Sequence, residues 1–207
     1  MSKPDGPCTR LFLVRHGEVV AEAQGKFLGF TDAELSPRGR EQLRTLARRL
    51  QAEVLDRAYA SDLKRAVESA RILCRGRSLV PEERAEFREM DMGDWDGKAW
   101  QEIDRLYPGR KKFHFSNLNQ FHFPNGEYWN PFRSRVVKGV QEIIRENPGK
   151  NILLVAHAGV NRIIIAQALK LPFKNMFFLD QAYAGLNIIE YYSGYAMVKL
   201  MNGTFLE

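Results

Sequence analysis

The sequence predicts an α/β protein, a sandwich in which helices cover a mostly parallel sheet. Strand-sized apolar runs alternate with stretches of helical period along the chain, the pattern of a parallel sheet fed by crossover helices. Two runs, Leu11–Val14 and Ile152–Ala156, contain no polar residue, as expected of strands buried on both faces. Each leads to a histidine and a glycine, at the strand end where open α/β sheets present ligands to solvent.

The length of 207 residues with 44% hydrophobic content suits one sizeable domain, and we expect a single domain over 1–207 with an excursion at 108–130. The net charge of +6 arises from 31 basic residues scattered among 25 acidic ones. That pattern points to a small anionic ligand held by a local cluster and gives no support to nucleic acid binding. Cys8 and Cys74 show no CxxC spacing and read as free thiols of a cytoplasmic protein. Met1–Pro7 lacks the apolar core of a signal peptide and reads as a frayed end. The longest apolar runs fall far short of the ~20 residues that span a bilayer, so no membrane association is expected.

In chain order, the first strand delivers Arg15, His16 and Gly17, the glycine allowing a sharp exit or a close backbone approach. Glu18–Ser36, without sustained period, reads as a long loop over the strand end. Ser36-Pro37 starts a helix with the stripe Leu43, Leu46, Ala47, Leu50 and Val54, leaving Arg40, Arg44 and Arg48 on a solvated face. A short strand at Ala58–Ala60 leads to Ser61-Asp62, a candidate cap for a helix striped by Leu63, Ala66, Val67, Ala70, Leu73 and Cys74. Arg65 lies off that stripe in the first turn, where a cation opposes the helix dipole unless a bound anion shares the helix end. It is therefore either a surface arginine or a phosphate ligand.

Leu79-Val80 reads as another short strand, and the glycine-punctuated segment Phe87–Gly97 as a shaped loop. Glu89 in that loop is a candidate proton donor to a leaving alcohol; the alternative is a surface loop with Glu89, Asp91, Asp94 and Asp96 as its polar half. A short helix follows at 99–107. The irregular excursion 108–130 is basic and aromatic, with Arg110, Lys111, Lys112, Phe113, Phe115, Phe121, Phe123, Tyr128 and Trp129. It could cap a pocket, while His114 and His122 lack the compact spacing of a metal site. Phe132, Val136, Val140, Ile143 and Ile144 mark a longer helix stopped at Asn147-Pro148-Gly149. The strand ending at His157 is followed by a helix burying Val160, Ile163, Ile164 and Ala168, whose free N–H groups could receive an anion. Leu186–Tyr192 and Tyr195–Leu200 read as a hairpin turning at Ser193-Gly194.

Two histidines at strand ends, two arginines and a carboxyl group suit phosphoryl transfer. A neutral imidazole is nucleophilic near neutral pH and divides a difficult transfer into two easier ones. The planar fork of arginine matches phosphate oxygens and stabilises charge on them without a metal or cofactor.

Leu13-Val14-Arg15-His16-Gly17-Glu18, Ser61-Asp62-Leu63-Lys64-Arg65-Ala66, Glu89 with Gly93, Trp95 and Gly97 after it, Phe123-Pro124-Asn125-Gly126-Glu127, and Val155-Ala156-His157-Ala158-Gly159-Val160 follow in that order. With them the chain resembles the histidine phosphatase superfamily, the phosphoglycerate mutase-like proteins, from about Arg10 to about Tyr192. The resemblance implies a three-layer α/β/α sandwich with a mostly parallel central sheet. It implies His16 as the phosphorylated nucleophile, Glu89 as proton donor, and Arg15, Arg65 and His157 as ligands of the phosphoryl group, with His157 also counted in the catalytic set. It implies no metal or cofactor, and a homodimer is common among relatives. Ala158 after His157 is unlike the acid phosphatase and phytase branch, and the insertion usual in mutases is absent. The expected function is hydrolysis of small phosphomonoesters, α-ribazole 5'-phosphate among the candidates; the alternatives are a phosphoglycerate mutase and a phosphate-binding protein without turnover. Two positions depart from the family pattern: Glu22 replaces a common asparagine that touches phosphate, and Leu28 a common glutamine.

Overall fold

The computed structural model describes residues 8–108 and 122–205. Six strands form one sheet: β1 (Thr9–Arg15), β2 (Arg57–Ala60), β3 (Glu82–Glu83), β4 (Asn151–Ala156), β5 (Leu186–Tyr192) and β6 (Tyr195–Gly203), in the order β3-β2-β4-β1-β5-β6. The pairs β3–β2, β2–β4 and β4–β1 are parallel, whereas β5 runs antiparallel to β1 and β6 antiparallel to β5. The sheet is mostly parallel, as the alternating pattern predicts, with the expected hairpin forming one edge.

The helices are α1 (Pro37–Arg49), α2 (Lys64–Leu73), α3 (Trp100–Leu106), α4 (Trp129–Glu146) and α5 (Ala158–Ala168). Side chains alternate across a strand, so β1 feeds two cores at once. Leu11 and Leu13 join Phe132, Val136, Val140, Ile163 and Ile164 of α4 and α5. Phe12 and Val14 join Leu43, Leu46, Ala66 and Ala70 of α1 and α2 on the opposite face. The three-layer sandwich follows from that division, and it explains why β1 and β4 are apolar without interruption.

Helix α1 begins as its sequence dictates: Ser36 Oγ accepts the Gly39 N–H at 2.9 Å, and Pro37 occupies the first helical position. Gly17 and Gly39 let α1 pack against the end of β1, since a Cβ on Gly17 would sit 2.7 Å from the Gly39 carbonyl oxygen. Close approach, rather than a positive φ, accounts for Gly17.

Several expectations are corrected. Helix α1 ends before Val54, which is 67% exposed. Leu79-Val80 forms no strand; Val80 is exposed, and β3 forms at Glu82–Glu83 instead, where edge pairing with Tyr59 and Ala60 uses backbone alone. Neither Ser61 nor Asp62 is the N-cap of α2, which is Leu63; Asp32 from the preceding loop accepts the Lys64 N–H at 2.9 Å. Glu18–Ser36 is not wholly irregular: it carries a 3-10 turn at Ala21–Ala23 and a bridge between Val19 and Leu35.

Of the expected excursion 108–130, residues 109–121 lie outside the described residues, among them Arg110, Lys111, Lys112, Phe113, His114, Phe115 and Phe121, as does Met1–Pro7. Within the described part, Phe123 is buried against Trp95, and α4 already begins at Trp129. Among the described residues no helix is long and apolar enough to cross a membrane.

Candidate active site

The register of the central strands builds the site. Arg15 pairs with Ala156, so the next residues, His16 and His157, leave the sheet side by side, with ring centroids 5.2 Å apart. Ala60 of β2 pairs with Val155, which brings Ser61 to the same edge, where its Oγ lies 2.9 Å from His157 Nε2. The Nδ1 of His16 lies 2.8 Å from the Gly17 carbonyl oxygen. A carbonyl only accepts, so Nδ1 carries the proton and Nε2 keeps its lone pair.

Both imidazoles are buried, and both pKa values lie well below the ordinary 6.5. Desolvation is the largest cause, followed for each ring by the charge of Arg65. The rings are therefore neutral near neutral pH, the form in which a histidine can attack phosphorus.

Arg65 is fully buried, which overturns the surface reading. Its Nη1 donates to the Thr31 carbonyl at 2.8 Å, and its Nη2 to the carbonyls of Gly29 at 2.8 Å and Leu28 at 3.4 Å. Arg15 stacks over the Tyr183 ring at 3.9 Å and donates from Nη1 to the Gln181 carbonyl at 2.6 Å. Burial lowers both arginine pKa values from their ordinary value, with Glu89 opposing. The Nε–H of each arginine and Nδ1 of His157 are buried without a protein partner among the described residues. Two guanidinium groups bonded to neutral carbonyls, beside neutral imidazoles, make a site that favours an anion.

Glu89 is nearly buried on the α5 side. Its Oε2 accepts the Gly159 N–H at 2.9 Å and its Oε1 the Met90 N–H at 3.0 Å. Gly159 has no side chain because a Cβ there would run into Glu89 Oε1. The loop acids are bound rather than loosely solvated. Asp96 accepts from the backbone N–H groups of Gly29, Phe30 and Thr31, and Asp94 from Tyr107 and Asn125.

Arg15, His16, Glu89 and His157 line one cavity of about 430 Å³, while Arg65, fully buried, is not among its lining residues. Beyond these groups the lining is aromatic, with Phe27, Trp95, Trp100, Phe123 and Trp129, and adds charge at Lys26 and Arg162. Glu22 is exposed and does not line the cavity, whereas Leu28 does. Sequence reasoning missed Tyr183, Ser61 as a partner of His157, and Arg135, whose guanidinium grips the Glu89 loop. Arg135 reads as one more cation on an amphipathic helix, and no local pattern announces its partners.

A family model described as histidine phosphatase superfamily (branch 1) matches residues 11–204. The adenosylcobalamin/α-ribazole phosphatase of Salmonella typhimurium is 28% identical over 193 residues, 93% of this chain and 96% of the relative. A metal-independent phosphoserine phosphatase of Arabidopsis thaliana is 31% identical over 166 residues, 78% of this chain and 69% of the relative. The crystal structure of an α-ribazole phosphatase from Shigella flexneri superposes with a TM-score of 0.82 at 28% identity, covering 96% of this chain and 99% of that one.

Proposed function

The chain belongs to the histidine phosphatase superfamily and is a phosphatase of small phosphorylated compounds; on that premise we propose that it works through a phosphohistidine formed on His16 Nε2. The observation that carries the reading is the His16 ring itself: buried, neutral, its Nδ1 proton committed to the Gly17 carbonyl, in the field of the buried Arg65 and the half-buried Arg15.

Nε2 of His16 attacks phosphorus, the ester P–O bond breaks, and the Glu89 carboxyl proton goes to the departing alkoxide oxygen. The neutral alcohol leaves. Water then attacks phosphorus, the P–N bond breaks, and the Glu89 carboxylate takes the water proton, which restores His16 and releases inorganic phosphate. Arg15 and Arg65 donate through their free Nε–H groups to the phosphoryl oxygens, supplying charge where it develops in the transition state. With Ser61 donating to Nε2 of His157, the His157 proton sits on Nδ1 and adds a further donor.

The aromatic lining of the cavity supports a flat or apolar leaving group, such as that of α-ribazole 5'-phosphate, over phosphoserine or a phosphoglycerate passed between two hydroxyls. We read the whole as one catalytic domain. Cys8 and Cys74 are free thiols, which suits a cytoplasmic protein. A homodimer is retained from the family resemblance and is open to test by sedimentation.

Replacing His16 with Ala should lower kcat/KM for p-nitrophenyl phosphate at least about 1,000-fold. The wild type, quenched in acid-free denaturant during turnover, should carry phosphate on His16; undiminished hydrolysis by the variant would overturn the reading. In the same assay α-ribazole 5'-phosphate should exceed phosphoserine in kcat/KM, and the reverse order would remove the aromatic preference.

A further inference from the structure

Arg135, on α4, does not line the cavity, yet three of the five N–H groups of its guanidinium are spent on the loop that carries Glu89. Its Nη1 donates to the carbonyls of Glu86 at 2.8 Å and Arg88 at 2.7 Å, and its Nη2 donates to the Glu89 carbonyl at 2.9 Å. The remaining two donors form a bidentate pair with Glu127, Nε to Oε1 and Nη2 to Oε2, each at 2.8 Å. Five donors with five acceptors leave the group no freedom to turn.

Glu127 holds the other flank of Glu89. Its backbone N–H donates to the Asp91 carbonyl at 2.9 Å, and its Oε2 accepts the Asp91 N–H at 3.3 Å. The segment around Glu127 is in turn locked onto the loop, because Asp94 N–H donates to the Pro124 carbonyl and a Cβ on Gly126 would sit 2.6 Å from the Asp91 carbonyl oxygen. Residues 86–91 are thus gripped on both sides of Glu89 by one ion pair, while the Glu89 side chain points the other way, to the Gly159 N–H of α5.

An ion pair in which both members are about four-fifths buried is a costly way to fix a loop. A chain that needed the loop only to be covered could use apolar packing, as Phe87 already does in the core beneath it. What the guanidinium adds is direction: three backbone carbonyls held to one rigid plane set where the next side chain aims.

We infer that Arg135, backed by Glu127, is a positioning residue that aims the Glu89 carboxyl at the ester oxygen of the substrate. This rests on the reading of Glu89 as proton donor. A misaimed acid slows esters whose leaving alcohol must be protonated, and leaves those that depart as stabilised phenolates comparatively untouched. A loss of general structural integrity would slow both alike.

The experiment compares kcat/KM, which reports the first chemical step, on a simple alkyl phosphate and on p-nitrophenyl phosphate, for wild type, Arg135→Lys, Glu127→Gln and Glu89→Gln. Lysine keeps the charge but cannot hold a bidentate carboxylate and three carbonyls in one plane. Arg135→Lys should lower the alkyl-to-aryl ratio at least about tenfold, and Glu127→Gln should lower it in the same direction by a smaller factor. Glu89→Gln should lower the ratio at least as much as either. If Glu89→Gln lowers the ratio and Arg135→Lys and Glu127→Gln do not, the positioning role is overturned and the donor reading stands. If Glu89→Gln leaves the ratio unchanged, the donor reading falls and the positioning role with it. Should Arg135→Lys fail to fold, as judged by its melting curve, Glu127→Gln alone decides: an unchanged ratio overturns the inference.

Discussion

Arg65 and Gly159 show how single residues make this site and how differently they announce themselves. The burial of Arg65 is not legible in the sequence, because a cation one step off an apolar stripe reads as solvated. What buries it is remote: the carbonyls of Leu28, Gly29 and Thr31 fold over its guanidinium, and Asp96 fixes that stretch through the N–H groups of Gly29, Phe30 and Thr31. Gly159 is the simpler case, since its missing side chain is what lets the first turn of α5 meet Glu89. Gly159→Ala should push the carboxyl aside, lowering kcat by about 100-fold and stability by about 1–3 kcal/mol. Steady-state kinetics and urea unfolding check the two numbers separately; a variant with wild-type kcat would mean that Glu89 tolerates the displacement.

At the scale of elements, strands and long helices are legible wherever one period runs uninterrupted, as in Leu11–Val14, Ile152–Ala156 and the stripe of α4. The reading fails where polar groups serve a partner far along the chain. Ser61 and Asp62 look like a helix cap, but Ser61 goes to His157 and Asp62 to Arg88, whose guanidinium holds that carboxyl below its ordinary pKa. The start of α1 separates local from non-local roles. Ser36→Ala removes a cap and should cost about 1 kcal/mol with kcat retained. Gly39→Ala drives a methyl into the Glu18 backbone beside the end of β1 and should cost about 1–3 kcal/mol and lower kcat as well. Equal kcat in the two variants would show that the end of β1 does not depend on this contact.

For the whole molecule, the two neutral histidines make stability depend on pH. Their folded pKa values lie well below 6.5, so below that pH the unfolded chain binds protons that the native state refuses, and stability is lost as pH falls. Each group contributes a loss that cannot exceed about 1.4 kcal/mol by pH 5.5, the limit set by an unfolded pKa of about 6.5. Urea unfolding at pH 7.5 and 5.5 should therefore show wild type losing more stability than His16→Asn, by up to about 1.4 kcal/mol, since shared carboxylates cancel in the comparison. Equal losses would show that His16 is not held neutral.

The order of the sheet also sets a timetable for synthesis. Within this sheet β1 is made before the other strands, whereas its two neighbours, β4 and β5, come after β2 and β3. Until Asn151–Ala156 emerges, Arg15 and His16 sit at the end of an apolar ribbon with both edges bare, a segment that invites misassociation while the nascent chain waits. The proposed nucleophile is thus made well ahead of its partner, and the site assembles only when β4 slides in beside β1 and delivers the second histidine.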